Sequence, residues 1–244
     1  YTMKLVRGQT LAKSLREVKT LRERLTFLTH YVDLCQAIGY AHSRNVIHRD
    51  IKPTNIMIGE FGETVVIDWG LAKVVGQVDL HEDELRETWS KLRGKSTGDP
   101  TQTASGTILG TPHYMAPEQA RGDVDEIDQR IDVFALGALL YEILTGKVPF
   151  DGKNTKAVIA RVVDASPRPI RDLEADVPPE LASICAKAMH KSQDERYANA
   201  KELALDVQNF LTGVVVNAYE YSTGEVLARF YRRHRPLINS AAVA

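Results

Sequence analysis

Four polar residues in the first third of the chain have the types and spacing to do chemistry. Asp50, Lys52 and Asn55 stand in the run His48-Arg49-Asp50-Ile51-Lys52-Pro53-Thr54-Asn55, and Asp68 opens Asp68-Trp69-Gly70. Between them lie two β-rich runs, 55–58 and 63–67, joined by Gly59-Glu60-Phe61-Gly62, which is hairpin punctuation. A hairpin there folds Asp68 back toward the first run, so that two carboxylates, an amide oxygen and an ammonium converge. Carboxylate and amide oxygens suit Mg²⁺, a hard cation that keeps several waters while bound to phosphates. A second carboxylate without metal duty can orient a hydroxyl and accept its proton. A lysine two residues on can steady the charge of a phosphoryl group in transfer. Taken singly, Asp50, Asn55 and Asp68 are equally at home in turns, where Asx side chains cap their own backbone.

The elements that must position these residues are mostly helical. Residues 1–7 read as a short strand closed by Gly8, followed by a helix over Thr10–Lys19 and a longer one over Leu21–Arg44. In the longer one Leu28, Tyr31, Val32, Cys35, Ile38 and Ala41 recur at helical spacing and form a stripe wide enough to bury. Residues 76–107 lose apolar periodicity and become charged and Ser/Thr-rich; a connection that long is functional or disordered. Beyond Pro117, helices are expected at 118–121, 130–146, 154–164, 179–191 and 199–212. Ile131–Leu144 is apolar on most faces and so reads as a central helix buried by its neighbours. Pro178-Pro179 opens one helix and Gly213 closes another. Val214–Val216 and Tyr219–Tyr221 read as a short extended tail, and residues 229–235 form a basic cluster.

Composition excludes several function classes. Over 244 residues, 31 Lys+Arg oppose 32 Asp+Glu for a net charge of −1, so no excess of cations marks a dedicated nucleic-acid binder. Cys35 and Cys185, 150 positions apart, form neither a zinc pattern nor a disulfide scaffold, and a reducing compartment is the natural reading. No secretory leader is recognisable, and no apolar run approaches the ~20 residues of a membrane helix.

In combination the motifs resemble those of the eukaryotic-type Ser/Thr protein kinases, in the form found in bacteria. The catalytic loop stands here as His48-Arg49-Asp50 with Lys52 and Asn55, the second motif as Asp68-Trp69-Gly70, and the third as Ala116-Pro117-Glu118. Gly110-Thr111-Pro112-His113-Tyr114-Met115 resembles the substrate-binding loop of that group. The resemblance implies a mainly α fold with a small β-hairpin, the C-terminal (large) lobe of the protein-kinase-like α+β fold. It would span residues 1–212, with 213–244 as a basic tail. It further implies ATP and Mg²⁺ as cofactors, protein Ser/Thr hydroxyls as substrates and no nucleic-acid partner.

Roles follow by the same resemblance. Asp50 would be the catalytic base, Lys52 a phosphate contact, and Asn55 and Asp68 the Mg²⁺ ligands. Thr111 would hydrogen-bond toward Asp50 and Lys52. Met3 looks like the gatekeeper, with Lys4 and Val6 meeting adenine through their backbone and Met57 forming the floor beneath it. His48 is structural, Asp132 anchors the catalytic loop and Arg196 pairs with Glu118. Arg49 marks kinases activated by loop phosphorylation, for which Thr101, Thr103, Ser105 and Thr107 are the candidate acceptors.

Two departures stand out: Trp69 replaces the usual Phe, and residues 79–100 form an insertion in which Asp83–Leu92 reads as a short helix. The family's Gly-rich loop, strand lysine and helix glutamate are expected ahead of Tyr1, on an N-terminal lobe outside these 244 residues. The isolated chain is therefore expected to be inactive and its parent active. The alternatives are a pseudokinase or scaffold, which would lose Asp50, Asn55 or Asp68, and a stand-alone helical interaction module. The basic cluster at 229–235 reads either as a solvated tail or as a juxtamembrane segment, with anchoring just after residue 244. The second reading places the domain in the cytoplasm at the inner face of a single-pass membrane protein, with dimerisation supporting autophosphorylation.

Overall fold

The computed structural model describes residues 7–77 and 112–225. Its centre is the helix Arg130–Thr145, in which every residue from Ile131 to Thr145 except Glu142 is buried. A segment with no polar face has no side to give to water, and the surrounding helices accordingly enclose it. Among the described residues the helices are, in chain order, α1 (Leu11–Glu17), α2 (Leu21–Leu25), α3 (Leu28–Ser43), α4 (Pro117–Arg121), α5 (Arg130–Thr145), α6 (Thr155–Asp164), α7 (Ile170–Leu173), α8 (Pro179–Ala188) and α9 (Ala200–Leu211). Helices α3 and α9 pack side by side, and α8 lies across α5. Gly137 permits that last approach, because a Cβ there would fall within 2.8 Å of the Met189 and Ala188 side chains.

The strands are short and serve the loops between them. β1 (Gly8–Thr10), β3 (Ile56–Gly59) and β4 (Thr64–Val66) form an antiparallel sheet in the order β1-β3-β4, with Gly8 opposite Gly59 and Ile56 opposite Val66. β2 (Val46–Ile47) pairs separately with β5 (Lys73–Val74). The expected hairpin is present, and β1 extends it to three strands. Gly8 begins the paired strand. Its φ of +145° and the 2.1 Å that would separate a Cβ from the Ile58 carbonyl oxygen both require glycine.

Two expectations need correction. The helix expected over 21–44 is two helices: Thr20 and Glu23 cap α2 reciprocally, and the Thr26 hydroxyl then donates to the Glu23 carbonyl at 2.6 Å and turns the chain before α3 starts. The helix expected over 179–191 stops at Ala188. Residues 214–221, expected as a short extended tail, run without strand pairing and fold back onto α9, where the buried Asp206 accepts the backbone N–H groups of Asn217 and Ala218 at 2.9 and 3.1 Å and the Tyr197 hydroxyl at 2.8 Å. The strand expected over 1–7, apart from Arg7, the insertion at 79–100 and the basic cluster at 229–235 lie outside the described residues. Among the described residues no helix is long and apolar enough to cross a membrane. Cys35 and Cys185 are free and buried, and burial raises both thiol pKa values.

Candidate active site

The β2–β5 ladder brings together the two segments that carry the polar residues: His48 follows β2 directly, and Asp68 precedes β5 by a short turn. A second tie lies on the other side, where the Ile67 N–H donates to the Asn55 carbonyl at 2.9 Å. Asp68 is thus held at both ends by backbone contacts to the loop it must face.

The loop itself is fixed from below. Asp132, in the first turn of α5 and 1% exposed, accepts the Arg49 N–H at 2.9 Å and the His48 N–H at 2.8 Å, while His42 Nε2 lies 3.0 Å from its Oδ2. Arg49 stands at φ +68° and Asp68 at φ +61°, the left-handed region that costs a non-glycine residue about 1 kcal/mol or more. Two further contacts hold Arg49 there: its Nε donates to the Leu71 carbonyl at 2.6 Å, and Gln119 Nε2 donates to its carbonyl at 3.2 Å. Gln119 also accepts the Ala116 N–H at 3.1 Å, so α4 is joined to the loop through a single side chain.

On this base Asp50, Lys52 and Asn55 come together. Asp50 Oδ2 accepts from Lys52 Nζ at 2.6 Å and from Asn55 Nδ2 at 3.0 Å, and Asn55 Nδ2 also reaches the Asp50 carbonyl at 2.9 Å. With the Asn55 nitrogen committed to two acceptors, its amide oxygen faces away from Asp50 and is the atom it can offer a cation. Asn55 is buried, whereas Asp68 is exposed. One amide oxygen and one carboxylate, both hard donors, fit a Mg²⁺ ion that takes its remaining ligands from phosphates and water.

His48 is fully buried and structural in its contacts: Nδ1 accepts the Asp50 N–H at 3.3 Å, and the ring packs 4.6 Å from Trp69. Its Nε2 has no hydrogen-bond partner among the described residues. Trp69, 40% exposed, donates its indole N–H to the Val66 carbonyl at 3.2 Å, a contact that phenylalanine cannot make. Glu118 and Arg196 form the expected pair, bidentate at 2.7 and 2.9 Å and almost fully buried, and the guanidinium lies 4.9 Å from the Phe134 ring centre. Met57 is half-buried in β3, opposite Thr10 and Val65. Met3, Lys4, Val6, Thr101, Thr103, Ser105, Thr107 and Thr111 lie outside the described residues.

The sequence reading missed four supporting residues. His42 and Gln119 position the loop, Asp206 holds the tail, and Arg24 is buried with bonds to the Ile143 and Leu144 carbonyls and to Glu174. For Asp206 a signal was present: an acid within the apolar stripe of Leu203, Ala204 and Val207 has to find donors.

Comparison with known proteins agrees with this geometry. A family model described as protein kinase domain matches residues 1–206. The chain is 35% identical over 223 residues to the serine/threonine-protein kinase PknD of Chlamydia felis, covering 87% of this chain and 23% of the relative. It is 36% identical over 233 residues to the PknD of Protochlamydia amoebophila, covering 87% and 22%. It is 40% identical over 175 residues to the serine/threonine-protein kinase PknB of Mycolicibacterium smegmatis, covering 72% and 24%. The chain spans about a quarter of the length of these curated relatives.

Proposed function

Because the chain belongs to the protein kinase family, we propose that it supplies the catalytic lobe of a bacterial Ser/Thr protein kinase that uses Mg-ATP. The observation that carries this reading is the convergence of Lys52 and Asn55 on one oxygen of Asp50, beside an Asp68 held by backbone ties on both sides. Asp50 orients a substrate Ser or Thr hydroxyl and accepts its proton at a carboxylate oxygen as the hydroxyl oxygen bonds to the γ-phosphorus and the bond from that phosphorus to the bridging β-phosphate oxygen breaks, ADP leaving with the electron pair. Lys52 holds that carboxylate and contacts the transferred group, a point charge where negative charge gathers. Asn55 Oδ1 and the Asp68 carboxylate hold the cation. Mg²⁺, when bound, neutralises phosphate charge and fixes the nucleotide's orientation. Met57, with Met3, Lys4 and Val6, would line the adenine.

The Gly-rich loop, strand lysine and helix glutamate of the family are not among the 244 residues. Positioning accounts for most of phosphoryl-transfer catalysis, so these residues alone transfer phosphate negligibly and their parent does so efficiently. Phosphorylation at Thr101, Thr103, Ser105 or Thr107, between copies of the protein, would neutralise Arg49 and order the site. Thr111 would complete it by bonding to Asp50 and Lys52. The basic run at 229–235 supports a place at the anionic inner face of a membrane.

The test is transfer of labelled phosphate from Mg-ATP to a protein substrate by the parent polypeptide, followed by phosphoamino-acid analysis. Phosphoserine and phosphothreonine are expected; no incorporation, or phosphotyrosine alone, would overturn the assignment. Measurable transfer by residues 1–244 alone would overturn the claim that they are insufficient.

A further inference from the structure

Away from the catalytic loop, two cavities of about 770 and 690 Å³ open on the far part of the fold and share a wall formed by Asp164, Ser166 and Arg168. The wall is tied to the central helix: α6 ends in Ala165 at φ +52°, and the Tyr141 hydroxyl of α5 donates to the Arg168 carbonyl at 2.8 Å. The floor of the larger cavity is apolar, with Tyr141, Cys185 and Met189 beneath Pro167 and Ile170; Val148 and Leu173 continue it into the smaller one.

The charges around this groove do not balance. The carboxylates lining it, Asp151 and Asp164, are already paired with Arg161 and Lys191. Lys147, Arg168 and Arg171 are exposed on the same lining, and among the described residues none of them makes an ion pair. An apolar trough with three uncommitted cations complements a ligand of opposite charge that can also bury apolar side chains.

We propose that this groove, framed by α5, α6, α7 and α8, docks an acidic peptide segment of a partner protein, its apolar side chains in the two cavities and its carboxylates on Arg168, Arg171 and Lys147. The surface is separate from Asp50 and Asp68, so the proposal stands whether or not the catalytic reading does. Cavities joined side by side suit an extended segment with spaced apolar residues, and exposed cations supply selection and a salt-dependent association rate.

Fluorescence anisotropy of this chain with a short fluorescein-labelled peptide of Asp, Glu, Leu and Phe provides the test. Two control peptides replace its acids by Asn and Gln or by Lys. The acidic peptide is expected to bind at least about tenfold more tightly than either control, and less tightly as salt rises. The double variant R168E/R171E, at exposed positions, should keep the unfolding midpoint and shift preference to the Lys peptide; K147E should act in the same direction, more weakly. Equal binding of acidic and amide peptides, no binding, or binding indifferent to R168E/R171E would overturn the proposal. Self-association that the same variant abolishes and that excludes the peptide would assign the face to a second copy instead, and would also overturn it.

Discussion

The rim of the site and the frame beneath it are built on opposite terms. At the rim Asp68 is exposed, Trp69 is 40% exposed and Asp50 is held mainly by neighbours within its own loop. In the frame, Asp132, Glu118 and Arg196 are between 1% and 4% exposed, and each has partners 66 to 90 residues away in the chain, to which Arg196 adds the nearby His190 and Lys191 carbonyls. Buried charges survive only when their hydrogen-bonding capacity is met, which is why the frame is where the long-range contacts concentrate. Groups that must meet a nucleotide and a hydroxyl have to stay reachable, and they take their precision from that frame. Losses in the two regions should therefore separate: frame residues govern folding and activity together, rim residues govern activity alone.

The most severe test of that separation is Arg196→Ala. It removes the bidentate partner of a buried Glu118 and the donor to the His190, Lys191 and Arg130 carbonyls. An uncompensated buried charge costs about 3–5 kcal/mol, to be read as the shift in a urea unfolding curve; a loss under ~1 kcal/mol would erase the contrast.

Trp69→Phe addresses the boundary between the regions. It deletes the indole bond to the Val66 carbonyl and part of the contact with His48, and at this exposure the loss should sit at the lower end of the roughly 0.5–1.5 kcal/mol of a hydrogen bond. A loss as large as that of Arg196→Ala would place Trp69 in the frame.

The smallest effect concerns Glu142, the one residue of α5 between Ile131 and Thr145 that is half-buried rather than fully buried. Burial raises its carboxyl pKa above 4.5, the Tyr114 hydroxyl at 2.5 Å opposing that shift only in part. A raised carboxylate pKa means the fold favours the protonated form. The stability Glu142 contributes relative to Gln is thus fully present below pH 4.5 and declines as pH rises through its folded pKa. Thermal unfolding of the chain and of Glu142→Gln across that range should show the midpoints moving apart in that sense; a constant difference would contradict it.

The same contrast explains what sequence alone disclosed. The central helix was readable because an all-apolar stretch has few alternatives, and Asp50, Lys52, Asn55 and Asp68 because local spacing carries their chemistry. The break at Thr26–Phe27 was hidden, since apolar periodicity runs on through it and a side-chain bond makes the turn. Val214–Val216 reads as an extended tail by composition, whereas the tie of Asn217 and Ala218 back to Asp206 depends on a residue of α9 and is not written in the tail itself. Arg24, His42 and Gln119 act through partners remote in the chain, and no local pattern announces such a partner.

Asp50→Asn in the parent polypeptide tests the central claim most directly, with phosphate transfer and unfolding midpoint measured on the same preparation. Transfer should fall by about 10²–10⁴-fold, the contribution of a positioned general base, while the midpoint stays where it was. Transfer retained within a few-fold, or a midpoint that collapses as expected for Arg196→Ala, would contradict the account.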